Sequence, residues 1–277
     1  MAYTTINKSS LYFNTKLYTG NGSTNAMSGV GFQPDMCWWK MRSGTEEHAL
    51  GDAVRGAGYI VKPNASDAQA QSASYFSSFD SDGFTLGSDT KTNGNTSTYA
   101  SWNWKANGTG SSNTDGSINT TYTSANTTSG FSISTYTGNA TQGATIGHGL
   151  GVAPAVVLVK RLDTSADWVM YHKGMGAPPK FIVLNSTAAE ASSAGIFYNT
   201  APTSSVFYVG DDGATNASGG TYVAYCFAEK KGFSKFGSYT GNGNADGTFI
   251  YTGFKPAMVL FKQSSASGEK WYIYDNK

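Results

Sequence analysis

A single unit of roughly 100 residues recurs in this chain, and that recurrence limits the fold more than any local pattern does. Its first marker is Tyr-Thr-Gly, at Tyr18-Thr19-Gly20, Tyr136-Thr137-Gly138 and Tyr239-Thr240-Gly241. Its second is a proline followed by an apolar run closing on lysine. The runs are Pro34 to Met36-Cys37-Trp38-Trp39-Lys40, Pro154 to Val156-Val157-Leu158-Val159-Lys160, and Pro256 to Met258-Val259-Leu260-Phe261-Lys262. A spacing of this size repeats whole domains, not solenoid turns. The first two copies share a further pair of markers. Gly87 precedes the aromatic stretch Tyr99 to Trp104 as Gly210 precedes Tyr222 to Phe227.

The expected organisation is an N-terminal segment (1–16), module one (17–106), a Gly/Ser/Asn/Thr linker (107–130), module two (131–230) and the N-terminal half of module three (231–277). Half a β-domain leaves a core uncovered and strand edges unpaired. A natural chain continuing past Lys277 is the favoured reading. Completion by another chain is the alternative, and it predicts an obligate oligomer.

Strand signals dominate. Phe131-Ser132-Ile133-Ser134-Thr135-Tyr136 alternates with period two, and 155–159 is apolar on both faces, as in a strand covered on each side. Asx-Gly pairs such as Asn21-Gly22, Asp82-Gly83 and Asp212-Gly213 supply tight turns. Short helical turns are expected at 65–73 and 188–194. The predicted fold is all-β, with tandem antiparallel β-sandwich modules of jelly-roll or lectin-like form, the third incomplete. The linker is read as semi-flexible, with a strand near 118–123.

Composition narrows the function classes. Charged residues make up 13% and aromatics 14%, with 34 glycines and a net charge of +1. Low charge with many aromatics is not a disordered profile. No basic cluster points to nucleic acid, and no apolar run is long enough to span a membrane. Residues 1–17 lack the basic and apolar regions of an export signal, so release into the cytoplasm is expected. Cys37 and Cys226 fall in different copies at strand positions suited to a small apolar group, so no disulfide is expected.

No convergent set of catalytic side chains is legible in the sequence. His48, His148 and His172 do not recur between copies, and no metal-ligand spacing is present, so no catalytic, cofactor-binding or metal residues are assigned. Asp80-Ser81-Asp82-Gly83 begins like a calcium loop but lacks the later acidic ligand, and is read as a turn. Asp52 and Arg55 are read as a polar turn with an ion pair. Lys40, Lys160 and Lys262 are read as strand ends reaching solvent, with a ligand role as the alternative. Trp38, Trp39, Trp102 and Trp104 are assigned to core. The candidate glycan-stacking set is Trp168, Tyr171, Trp271, Tyr272 and Tyr274, with core packing as the competing reading.

Several stretches together resemble a repeated module of virion-associated proteins of tailed phages that infect marine bacteria. They are Phe79-Asp80-Ser81-Asp82-Gly83-Phe84-Thr85-Leu86-Gly87, Trp102-Asn103-Trp104-Lys105-Ala106, Asp52-Ala53-Val54-Arg55-Gly56, Gly147-His148-Gly149-Leu150-Gly151-Val152-Ala153-Pro154, Asn216-Ala217-Ser218-Gly219-Gly220-Thr221-Tyr222 and Ser238-Tyr239-Thr240-Gly241-Asn242-Gly243. The resemblance covers nearly the whole chain. It implies a tail-fibre-like or simply structural protein with lectin-like β-sandwich modules, and the lack of a recurring catalytic set makes a non-enzymatic role the expectation. Its implied setting is the virion, with other virion proteins as partners; the aromatic candidates add the expectation of homo-oligomers that contact host-surface glycan through repeated weak sites. Capsid decoration or assembly without a receptor is the second expectation, and a glycan-degrading enzyme the third.

Overall fold

The structure, a computed structural model, describes residues 4–277. It is all-β, with strands throughout and helix confined to single turns. Copy one holds β1 (Phe13–Thr19), β2 (Asn25–Met27), β3 (Met36–Met41), β4 (Ala49–Asp52), β5 (Tyr59–Ile60), β6 (Ala70–Gln71), β7 (Phe76–Asp80), β8 (Gly83–Leu86) and β9 (Thr98–Trp104). After β10 (Tyr122–Asn126), copy two holds β11 (Phe131–Thr137), β12 (Ala144–Gly147), β13 (Val156–Arg161), β14 (Val169–His172), β15 (Phe181–Val183), β16 (Val206–Val209) and β17 (Thr221–Phe227). Copy three holds β18 (Met258–Phe261) and β19 (Tyr272–Asp275).

The same sheet order appears twice. In copy one it runs β1-β9-β3-β4, and in copy two β11-β17-β13-β14, extended by β10 and β15 at its edges. All these pairings are antiparallel. A smaller antiparallel group covers one face of each main sheet: β2-β8-β7 in copy one and β12-β16 in copy two. The last strand of each copy returns to sit between its first and third, so neither sheet closes until the second half of the copy has folded.

The boundaries shift from those expected. β1 starts at Phe13, inside the anticipated N-terminal segment, whose first three residues lie outside the described residues. The linker is ordered. Its strand is β10, slightly later than expected, and Ile118 is buried and bridged to Ile146. Single-turn helices form at Thr90–Asn93 and Ala194–Phe197, each capped by an Asp or Ser side chain. The stretch expected to turn at 65–73 carries β6 instead.

Alternation along β3 and β13 sorts their residues into two cores. Trp39 and Cys37 join Phe76, Phe84 and Leu86 inside copy one. Val157 and Val159 join Phe207, Val209 and Ile196 inside copy two. The opposite faces meet each other. Met36, Trp38 and Trp102 of copy one and Leu158, Trp168 and Tyr225 of copy two form one cluster, against which Met258, Trp271 and Ile273 of copy three pack. The copies therefore share a central core and are not independent modules joined by tethers. Trp38, Trp39 and Trp102 are buried as expected, and Cys37 and Cys226 are free and buried.

The Tyr-Thr-Gly marker has a structural cause. Tyr18 stacks on Tyr99 at 5.1 Å, and Tyr136 stacks on Tyr222 at 5.0 Å. Each first tyrosine donates its hydroxyl to a backbone carbonyl, Tyr18 to Thr92 and Tyr136 to Thr215. The adjacent glycine lets backbone pass against backbone. A Cβ on Gly20 would lie 2.3 Å from the Gly94 oxygen, and one on Gly138 would lie 2.4 Å from the Ala217 oxygen.

Candidate functional site

Several of the polar side chains singled out in the sequence lie at the seams between copies. Asp52 ends β4 with its side chain fully buried, and Arg55 lies on the turn that follows. Arg55 Nε donates to Asp52 Oδ2 at 2.6 Å, and the Arg55 amide donates to Oδ1 at 2.9 Å. The Tyr225 hydroxyl of copy two donates to the same Asp52 Oδ2 at 2.7 Å. Arg55 Nη2 reaches the Tyr225 oxygen at 3.3 Å and the Leu50 carbonyl at 3.2 Å. Burial opposes the Arg55 charge, but the Asp52 carboxylate beside it raises the pKa overall. Burial pushes the Tyr225 hydroxyl well up, so it stays protonated as a donor. The polar turn with an ion pair read from the sequence is thus buried and joined by Tyr225 to the next copy, lodged where an unpaired charge would be costly.

Of the recurrent lysines, Lys160 turns inward, contrary to the expectation that it marks solvent. Lys160 is fully buried. Its Nζ donates to the Ser66 carbonyl of copy one at 3.0 Å and to the Ala166 carbonyl at 2.7 Å. Burial lowers its pKa to about 8, against the pull of Asp167. Lys262 Nζ makes the corresponding bond to Thr187 of copy two at 3.3 Å.

These contacts belong to a repeated set. The Trp168 indole donates to the Lys62 carbonyl, and Trp271 donates to the Val183 carbonyl. The Gln69 amide donates to the Leu162 carbonyl, and Glu190 donates to Ser264. The Ala166 amide donates to the Ser66 carbonyl, and Gly268 donates to Thr187. One constant step carries 62, 66 and 69 onto 183, 187 and 190. Another carries 160, 162 and 166 onto 262, 264 and 268. Copy two therefore holds copy one by the same bonds with which copy three holds copy two. Copy three in turn reaches copy one, because Trp102 Nε1 donates to Asp275 Oδ2 at 2.9 Å. The order is cyclic.

The histidines are built into the fold. His48 Nδ1 accepts from Trp38 Nε1 at 2.8 Å, and burial with the nearby Lys40 charge lowers its pKa to about 4. His148 is buried. Its Nδ1 accepts from the Leu150 amide and its Nε2 lies 3.2 Å from the Thr203 carbonyl. His172 accepts from the Gly174 amide. Burial lowers the pKa of both. Asp82 binds the Gly29 and Gly31 amides, so its segment is a structural turn. Among the described residues, no group of three or more His, Cys, Asp or Glu could hold a metal. No described helix is long and apolar enough to cross a membrane.

The five glycan candidates do not form one site. Trp168 and Tyr171 are buried, at 0% and 7% exposure, so neither presents a ring face to a sugar. Trp271 is half-buried against the shared core, with its indole nitrogen spent on Val183. Only Tyr272 and Tyr274, 43% and 60% exposed, face outward. Phe261 lies between them, stacked at 5.6 Å on Tyr272 and 5.9 Å on Tyr274. Period-two alternation could not show that both faces of β14 are covered. The seam residues Lys160, Asp52 and Tyr225 were missed as a group. The only sequence signal for them was the recurrence of a lysine that a solvent-facing strand end does not require.

Fold and seam together define an all-β protein of cyclically packed copies. A family model, Domain of unknown function (DUF7483), matches residues 8–277, and the chain belongs to that family. No curated protein matches the chain, and no solved structure does.

Proposed function

We propose that the protein is a non-enzymatic structural component of a tailed-phage particle, tail-fibre-like in kind, acting through surfaces and assembly. The observation that carries this reading is the use made of its reactive side chains. The buried Asp52, Arg55 and Lys160 and the three histidines are all engaged in holding strands or copies in place. An enzyme of this size needs some of them converging on open space. The resemblance of the repeated module to virion-associated proteins supplies the setting.

Antibody against copy one, imaged on intact particles by cryo-electron microscopy, tests the proposal. Label at the tail or fibre tips is the expected result. Label over the head favours capsid decoration, and particles without label overturn both. A second reading, contact with host-surface glycan, draws on the exposed rings of Tyr272 and Tyr274. It predicts glycan-array binding that Tyr272→Ala and Tyr274→Ala abolish. Unchanged binding in those variants counts against it.

A further inference from the structure

We infer that copy three presents a docking surface for a β-polypeptide segment patterned like the second half of copies one and two. One strand of that segment would insert between 236–240 and β18. The occupant is a module second half and not a second intact copy, and once docked it would cover the Tyr272 and Tyr274 rings on which the glycan reading draws.

Copies one and two show twice what covers this face. There, β9 pairs with both β1 and β3, and β17 with both β11 and β13. In copy three, β18 pairs with β19 on one side, and residues 236–240, counterparts of β1 and β11, form no strand. The edge of β18 that faces them is open, and a cavity of about 1090 Å³ runs from that gap into the faces shared by the copies, lined by Phe236, Tyr239, Met258, Leu260, Trp38 and Leu158 among others. An unpaired sheet edge beside an apolar slot takes an extended segment by strand addition.

The outer face of the β18–β19 hairpin tells the same story. Val259, Tyr272 and Tyr274 are 43%, 43% and 60% exposed, whereas Val157, Val169 and Tyr171 in the same places of copy two are 0%, 2% and 7% exposed. In copy two the residues that cover them come largely from its second half, Phe197, Phe207 and Val209.

Gly241 is the most specific sign. Gly20 and Gly138 are required because the backbone of 93–94 and 216–217 passes too close for a Cβ, but around Gly241 nothing lies within 4 Å. Tyr239 likewise keeps the ring that stacks and is buried in Tyr136, yet is itself 53% exposed. Copy three retains the receptor half of a contact whose other half is not among the described residues.

The cyclic seam adds two further places. Lys40, the counterpart of Lys160 and Lys262, donates to Met41 and Gly44 of its own loop at 2.7 and 3.3 Å and not to another copy. His172 stands where Asp52 meets Tyr225 and Asp275 meets Trp102. Both would face the docked segment.

The test appends residues 175–230 of this chain directly after Lys277, continuing the register of His172-Lys173-Gly174 onto Asp275-Asn276-Lys277. Hydrogen exchange then reads the amides of 236–241 and 258–261. At least about tenfold slower exchange and a raised Tm are expected. Gly241→Ala should be silent in the unextended chain and should lower the Tm of the extended one. Should the extended chain misfold, a peptide of residues 217–230 added to the unmodified chain should slow the same amides, and the same peptide carrying Tyr222→Asp and Tyr225→Asp should not. Free exchange with both probes, or a Gly241→Ala that is harmless in the extended chain, overturns the inference. So does an unextended chain that dimerises and buries Tyr272 and Tyr274 unaided.

Discussion

At the level of single residues, buried polar groups set how stability responds to pH. Lys160 has a folded pKa of about 8 against an ordinary 10.5, so between those values the unfolded chain binds the proton more tightly. Its contribution to stability therefore rises with pH across that window. In urea titrations from pH 8 to 10, the stability difference between wild type and Lys160→Met should move steadily in favour of wild type. Parallel curves would show that the amine is not buried as described. His48 behaves as a base with a depressed pKa, about 4 against 6.5. The unfolded chain takes up the proton first as pH falls, so stability declines from about pH 6.5 towards 4, by at most about 3 kcal/mol from this residue. His48→Gln, which keeps an acceptor for Trp38, should flatten that slope. Asp52→Ala leaves Arg55 buried without its carboxylate and should cost about 3–5 kcal/mol in urea unfolding. Replacing the pair together, Asp52→Leu with Arg55→Met, should cost less.

At the level of elements, the Tyr-Thr-Gly turn makes a comparison within one chain. Gly138→Ala forces a Cβ onto the Ala217 carbonyl and should destabilise by about 1–3 kcal/mol, as should Gly20→Ala against Gly94. Gly241→Ala should leave thermal unfolding unchanged. Equal losses at all three positions would mean that the third turn is already occupied. This turn also shows what could be read in advance. Tyr-Thr-Gly and Pro-to-Lys were visible as spacing, because each serves a contact inside its own copy or at a repeated seam. The apolar character of 155–159 on both faces correctly signalled cover on each side. What supplied the second cover was not visible, since period-two alternation describes a strand and not its neighbours. For the same reason Trp168 resembled a ring available to a sugar and Lys160 a strand end in water, although both donate into copy one.

At the level of the whole molecule, the central claim is that the copies fold around one core and hold one another cyclically. Met36, Trp38 and Trp102 have their apolar cover from Leu158, Trp168 and Tyr225, and the Asp52 carboxylate lies on the boundary between them. Copies tied this way cannot unfold one at a time without exposing that face and stranding the Arg55 charge. Calorimetry of the full chain measures this most directly. The account predicts one transition for copies one and two together, with a van't Hoff enthalpy matching the calorimetric value. Two separate transitions, each reproduced by residues 4–106 or 107–230 expressed alone, would contradict it.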